Sequence, residues 1–219
     1  MKIALIGATG FVGAVLLEEA LNRGHEVTAI VRKPEALPDR AGITPLKLDI
    51  HDVDALAKAL AGHDVVISAY NPLRGAQGGD EITQQHVVGH KAIIAATKAS
   101  GVTRFIAVGG AASLKTSEGT ELLDSPSFPK EYEGSKGGIR GTRALYYLLK
   151  EEPGLDWVFL SPSAFLLPGE RTGKFRLGKD ELLVGADGQS RISLEDYAMA
   201  LIDELERPAH HRERFTVGY

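Results

Sequence analysis

Three glycines spaced three apart in GATGFVG (residues 7–13), the basic pair Arg32 and Lys33, and the carboxylate of Asp49 are the residues of this 219-residue chain whose types and spacing point most directly to chemistry. Glycine lets a backbone turn tightly and bring its N–H groups onto a phosphate that a side chain would hold away. Arginine offers a planar fork to a phosphate ester, and lysine adds charge. A carboxylate accepts from an exocyclic amino group such as that of adenine. These are the parts of a site for a phosphorylated nucleotide. Spacing alone is weak support, since 25 Gly in 219 residues yield G-x-x-G-x-x-G about 0.3 times by chance. The elements around the glycines have to decide.

Those elements are favourable. Residues 2–6 (KIALI) form a short apolar run that ends at Gly7, and residues 11–23 follow with helical periodicity until Gly24 stops them. A second strand, EVTAIV (26–31), begins two residues later. The pattern continues with strands at 43–48, 65–69, 104–108 and 157–160, helices at 53–60, 81–99, 139–150 and 194–206, and a last strand at 214–217. Continuous Val/Ile/Leu strands alternating with helices predict a parallel sheet covered on both faces, with right-handed crossovers. The fold expected is therefore α/β: a Rossmann-like, doubly wound parallel sheet in one domain spanning 1–219, with about 165–219 contributing a small carboxyl-terminal substrate lobe.

In that frame Gly7 closes the first strand and Gly13 lies in the first turn of the helix. There a tight turn, a close backbone approach and helix-to-strand packing each require a missing side chain. Gly7, Thr9, Gly10, Phe11, Val12 and Gly13 are the expected pyrophosphate cradle of a dinucleotide. The second strand ends Ile30, Val31, Arg32, Lys33, with no carboxylate until Glu35. An acidic residue there would take the ribose 2′-hydroxyl of NAD, whereas arginine accommodates the 2′-phosphate of NADP, so NADP(H) is expected over NAD(H). Asp49 and Ile50 follow the third strand, where they can address adenine, and Ala69 and Tyr70 end the fourth, under the ribose.

Composition narrows the partners. Apolar residues make up 43% and charged residues 25%, with a net charge of -4. That is ordinary for a soluble globular chain and gives no basic field for nucleic acid or an anionic membrane. There is no Cys, which removes disulfides, zinc thiolates and a cysteine nucleophile together. The apolar start is too short for a signal-peptide core, and no apolar run approaches a membrane span. A cytoplasmic protein with a small-molecule substrate is expected, in an oligomeric state the sequence leaves open.

Two segments break the alternation: NPLRGAQGGD (71–80) and residues 113–138, both rich in Gly, Pro, Ser and charge. Each follows the carboxyl end of a strand, the edge at which open α/β sheets bind ligands. Both are expected to be active-site loops.

With GATGFVG, VGGAASL at the fifth strand, LDWVFLSPSAFLLPGERTGKFRLG and ISLEDYAMALIDELERP…RFTVGY, the chain resembles the atypical short-chain dehydrogenase/reductases. That branch of NAD(P)H-binding proteins includes the NmrA-like proteins, biliverdin reductase B and the NADH-flavin reductases, and the likeness to the last runs almost end to end. The resemblance implies that Pro162, Ser163 and Ala164 line the nicotinamide side, and that the protein reduces flavins or similar conjugated acceptors. The pattern also departs from the better-studied reductases. They carry a serine just past the fifth strand, where this chain has Gly109 and Gly110, and its first serine is Ser113.

A Tyr-x-x-x-Lys pair exists as Tyr132 and Lys136 in YEGSK. A lysine ammonium beside the phenol would lower its pKa and let it exchange a proton as hydride moves. Gly134, Gly137 and Gly138 weaken any helix beneath that pair, however, which favours a surface loop. Three functions follow: a reductase with Tyr132, Lys136 and Ser113 as candidate catalytic groups, an epimerase or dehydratase that needs Tyr132 and Lys136, or a non-catalytic NADP(H) redox sensor. His86 and His90, at i, i+4, have no evident third ligand and read as ordinary helix histidines rather than a metal site. Glu195 and Asp196 follow Ser193 as a capping variant rather than an acid/base pair.

Overall fold

The computed structural model describes residues 1–72 and 79–219. The chain begins β1 (Lys2–Ile6), α1 (Phe11–Asn22), β2 (Glu26–Val31), β3 (Ile43–Lys47), α2 (Val53–Leu60), β4 (Val65–Ser68), α3 (Asp80–Ser100), β5 (Arg104–Val108), α4 (Lys136–Lys150) and β6 (Asp156–Pro162). Three short strands follow, β7 (Phe165–Leu167), β8 (Arg176–Gly178) and β9 (Arg191–Ser193), and then α5 (Leu194–Glu206) and β10 (Glu213–Gly218). The main sheet has the order β3-β2-β1-β4-β5-β6-β10-β8. Every pairing in it is parallel except β10 with β8.

The alternation of strand side chains builds a core on each face. Ile3 and Leu5 join Val27, Ala29, Val65, Ile67, Ile106, Val158 and Leu160 under α1 and α5. Their neighbours Ala4 and Ile6 point the other way, with Ile30, Val66, Phe105, Ala107, Trp157 and Phe159, under α2, α3 and α4. Both faces being apolar explains why the strands read as continuous hydrophobic runs rather than alternating ones.

Three expectations change. Helix α4 starts at Lys136, three residues before the apolar period, after a 3-10 turn over Lys130–Ser135. Glycines 137, 138 and 141 lie inside it, so packing has overridden their poor helix propensity. The stretch outside the main layers is also narrower than 165–219, because α5 packs on α1 and β10 pairs with β6 inside the main sheet. Within 163–193, β8 joins the main sheet as its last strand beside β10, while β7 and β9 form a separate two-stranded sheet. Finally, 113–138 is packed rather than merely looped: Leu122, Leu123 and Phe128 are buried with Ala112 in a third small cluster. Of the loop expected at 71–80, residues 73–78 lie outside the described residues.

Candidate functional site

The strand order reverses at β1, which lies between β2 and β4. At such a switch point the connections leave on opposite sides and open a crevice at the carboxyl edge. A cavity of about 940 Å³ occupies it. Gly7 leaves β1 with φ +84, and a Cβ there would stand 2.7 Å from the Ala69 carbonyl oxygen. A Cβ on Gly13 would stand 2.0 Å from the Gly7 carbonyl oxygen. Gly13 is not among the residues that line this cavity; it lets α1 descend onto the turn. Gly10 caps α1 without a side-chain hydrogen bond, and the first-turn N–H groups of a helix have no carbonyl acceptor within it. That amino end is a seat for phosphate.

Ten further expected residues line this cavity: Thr9, Gly10, Phe11, Val12, Arg32, Asp49, Ile50, Ala69, Tyr70 and Gly109. Arg32 is exposed just past β2. Burial pushes the Tyr70 phenol up, while Arg32 pulls it down and Asp49 raises it, so both charges are felt at its hydroxyl. One Asp49 oxygen accepts from the His51 N–H at 3.0 Å, which fixes the turn after β3. A cradle that only glycine permits, a cationic end and an adjoining carboxylate fit a phosphorylated dinucleotide. The wall also includes Lys47, His51, Gln84, Gln85 and Val88, which the sequence did not single out. Gly89 in mid-α3 was the available signal: a Cβ there would stand 2.4 Å from Tyr70 Cε1, so its absence seats the Tyr70 ring.

A second cavity of about 400 Å³ adjoins the first, and Phe11, Asn71 and Thr142 line both. Gly110, Pro162, Ser163, Ala164 and Tyr132 are all in its wall, with Phe128, Ile139 and Leu166. Gly109 is held by two bonds that the sequence did not suggest. Its N–H reaches the Leu160 carbonyl at 2.9 Å and the Tyr197 hydroxyl at 3.3 Å, and that hydroxyl itself donates to Leu160 O at 2.8 Å. Tyr197, fully buried, thereby props the end of β5 where the cavities meet.

The three candidate catalytic residues are not brought together. Ser113 is buried, lines neither cavity, and its Oγ accepts from Arg214 Nη1 at 2.7 Å; that guanidinium also bonds Asp180 and lies over the Tyr146 ring. Lys136 also lines neither cavity. Its ammonium pairs with Glu133 at 2.7 Å and lies 5.0 Å over the Phe128 ring. Tyr132 does line the second cavity, its ring 5.7 Å from that of Phe165.

Glu195 and Asp196 serve structure. Ser193 Oγ accepts from the Asp196 N–H at 3.0 Å as the cap of α5. The fully buried Asp196 carboxylate accepts from the Thr172 hydroxyl, the Gly173 N–H and the Tyr219 hydroxyl, and Glu195 accepts from the Gly169 N–H. Arg171 in the same strap bonds Glu19 on α1. His86 and His90 are buried and stacked, ring centroids 5.5 Å apart. Among the described residues no group of three or more potential ligands could hold a metal, and no helix is long and apolar enough to cross a membrane.

The profile of the NAD(P)H-binding family matches residues 7–208, from the glycine turn to the end of α5. The chain belongs to the NAD(P)H-binding family. A curated relative, the uncharacterized protein YwnB of Bacillus subtilis, is 42% identical over 99% of this chain and 98% of its own. A solved structure described as a candidate epimerase from Bacteroides thetaiotaomicron is 46% identical, with a TM-score of 0.88 over 100% of this chain and 96% of that one. Another, a candidate NADH-flavin reductase from Streptococcus pneumoniae, is 34% identical with a TM-score of 0.82, covering 100% and 99%. The family thus includes NAD(P)-binding Rossmann proteins of the oxidoreductase type, and the first cavity lies where its dinucleotide site is expected.

Proposed function

We propose that residues 1–219 act as one domain that binds NADP(H) in the first cavity and reduces a conjugated small molecule, a flavin or similar ring system, in the second. The observation that carries this reading is the junction of the two cavities at Phe11, Asn71 and Thr142. A dinucleotide with its pyrophosphate on the Gly7 to Gly13 turn reaches that junction with its nicotinamide end. When bound, it supplies hydride. Arg32 takes the 2′-phosphate, which gives the preference for NADP(H) over NAD(H), and Asp49, Ile50, Ala69 and Tyr70 flank the adenosine. Gly109, Gly110, Pro162, Ser163 and Ala164 form the wall at the junction, where small residues let two flat rings approach face to face. Catalysis is then mainly orientation.

Protonation of the reduced acceptor falls to solvent through the cavity mouth. Lys136 is engaged by Glu133, and this weighs against an epimerase or dehydratase that depends on the pair. A cytoplasmic place accords with the use of NADPH. The test is NADPH oxidation with riboflavin as acceptor. Saturable turnover above the rate without enzyme is expected. Tight NADPH binding without turnover on any flavin or quinone would overturn the reductase in favour of a redox sensor.

A further inference from the structure

We infer that Lys47 is a second cation for the 2′-phosphate of NADP(H), and that it shares with Arg32 the choice of NADP(H) over NAD(H). This rests on the reading of the first cavity as the dinucleotide site with Arg32 at its phosphate end. The sheet brings the two residues together. Strands β2 and β3 run parallel in a register that sets Val31 beside Lys47, so Arg32 leaves β2 one step beyond Lys47 on the neighbouring strand. The pairing persists to that point, where the Leu48 N–H donates to the Val31 carbonyl at 3.4 Å. Arg32 and Lys47 are both exposed, and both line the same cavity. A lysine on an outer strand ordinarily keeps that edge soluble. Lys47 differs in its place: it is the last residue of β3, at the carboxyl edge where open α/β sheets bind ligands.

The charge of the ligand calls for more than one cation. A phosphate monoester carries about 1.5 to 2 negative charges near neutral pH, whereas a guanidinium supplies a single positive one. The wall also holds the carboxylates of Asp49 and Glu81, which oppose an anion. The Asp49 charge reaches the same Tyr70 hydroxyl as that of Arg32, so Arg32 meets the phosphate in an opposed field. An ammonium one step away on β3 offsets that opposition. The two cations divide the work by shape: the planar fork of Arg32 can take two phosphate oxygens, and the point charge of Lys47, on a flexible stem, can follow the third. NAD(H) has a neutral hydroxyl at this position, so the Lys47 charge acts on the difference between the two dinucleotides rather than on what they share.

The test measures NADP⁺ and NAD⁺ binding by isothermal titration calorimetry for the unaltered protein, Lys47→Met and Lys47→Arg. Methionine keeps an unbranched apolar stem without the charge, and arginine restores the charge. The unaltered protein is expected to prefer NADP⁺. Lys47→Met should lower the NADP⁺-to-NAD⁺ affinity ratio by about tenfold, and Lys47→Arg should hold it within about threefold of the original. The NADP⁺ affinity of the unaltered protein should also fall more steeply with added KCl than that of Lys47→Met, because salt screens exposed charges. An unchanged ratio in Lys47→Met, or an equal loss for both dinucleotides, would overturn the inference while leaving the reading of Arg32 intact. Preference for NAD⁺ by the unaltered protein, or no binding of either dinucleotide, would overturn the NADP(H) reading and the inference together.

Discussion

The imidazole of His86 occupies the space that Gly141 leaves empty: a Cβ at position 141 would stand 2.4 Å from the Cβ and Cγ of His86. Gly138, one turn earlier on α4, faces the same ring at an ordinary 3.8 Å from Nε2. The two glycines should therefore respond oppositely to alanine. Gly141→Ala is expected to destabilise by about 1–3 kcal/mol through overpacking. Gly138→Ala should be neutral or stabilising by up to about 1 kcal/mol through helix propensity. Urea unfolding of the two variants checks the sign of each.

Gly13→Ala should remove dinucleotide binding without unfolding the chain. The added methyl would collide with the Gly7 carbonyl and lift the turn from α1, so a loss of NADPH affinity of about a hundredfold is expected. Nucleotide fluorescence titration measures it, with far-ultraviolet circular dichroism to confirm the fold.

Arg32→Asp should invert the cofactor preference. A carboxylate at the end of β2 repels the 2′-phosphate and accepts from the 2′-hydroxyl. The NADPH-to-NADH ratio of kcat/KM is expected to fall by about a hundredfold, and an unchanged ratio would refute the assignment.

Tyr132 contributes its ring on the reading above. Tyr132→Ala should raise KM for the acceptor about tenfold or more by removing stacking surface. Tyr132→Phe should lower kcat by only a few-fold. A loss of kcat by about a thousandfold in the phenylalanine variant, with cofactor affinity intact, would restore the phenol as an acid.

Acid should destabilise the fold through the buried histidines. Burial pulls His86 down to about 4 and His90 to about 3, against about 6.5 for a solvated imidazole. Native His86 and His90 therefore bind protons less readily than they do in the unfolded chain. Their contribution is fully present above about pH 6.5 and is lost as pH falls from there toward 4, at about 2 kcal/mol per imidazole by pH 5. Neither ring nitrogen of His86 has a hydrogen-bond partner among the described residues. His86→Leu should accordingly flatten the decline in unfolding free energy between pH 7.5 and 5.

The layered fold was legible because the inner strands are largely apolar on both faces, as Ile3 and Leu5 against Ala4 and Ile6 illustrate. The glycine turn was legible because its glycines fall where strand meets helix. Strands of three residues, β7, β8 and β9, carry no period to detect. The start of α4 was hidden for a different reason: glycines 137, 138 and 141 signal a broken helix locally, yet Gly141 is required by a histidine 55 positions earlier in the chain. Ser113 was misplaced by proximity in sequence to β5, since its environment is set by Arg214 on the last strand. The second cavity is assembled from β6, α4 and the stretch around Phe128, so tertiary contacts rather than any one motif define it.

Both outer strands of the main sheet are poor templates for another strand. On one side β3 carries Pro45 at its centre, which has no N–H to donate. On the other, β8 is only three residues long and is followed at once by Lys179 and Asp180. The open main sheet is thus guarded against edge-to-edge pairing without closing into a barrel.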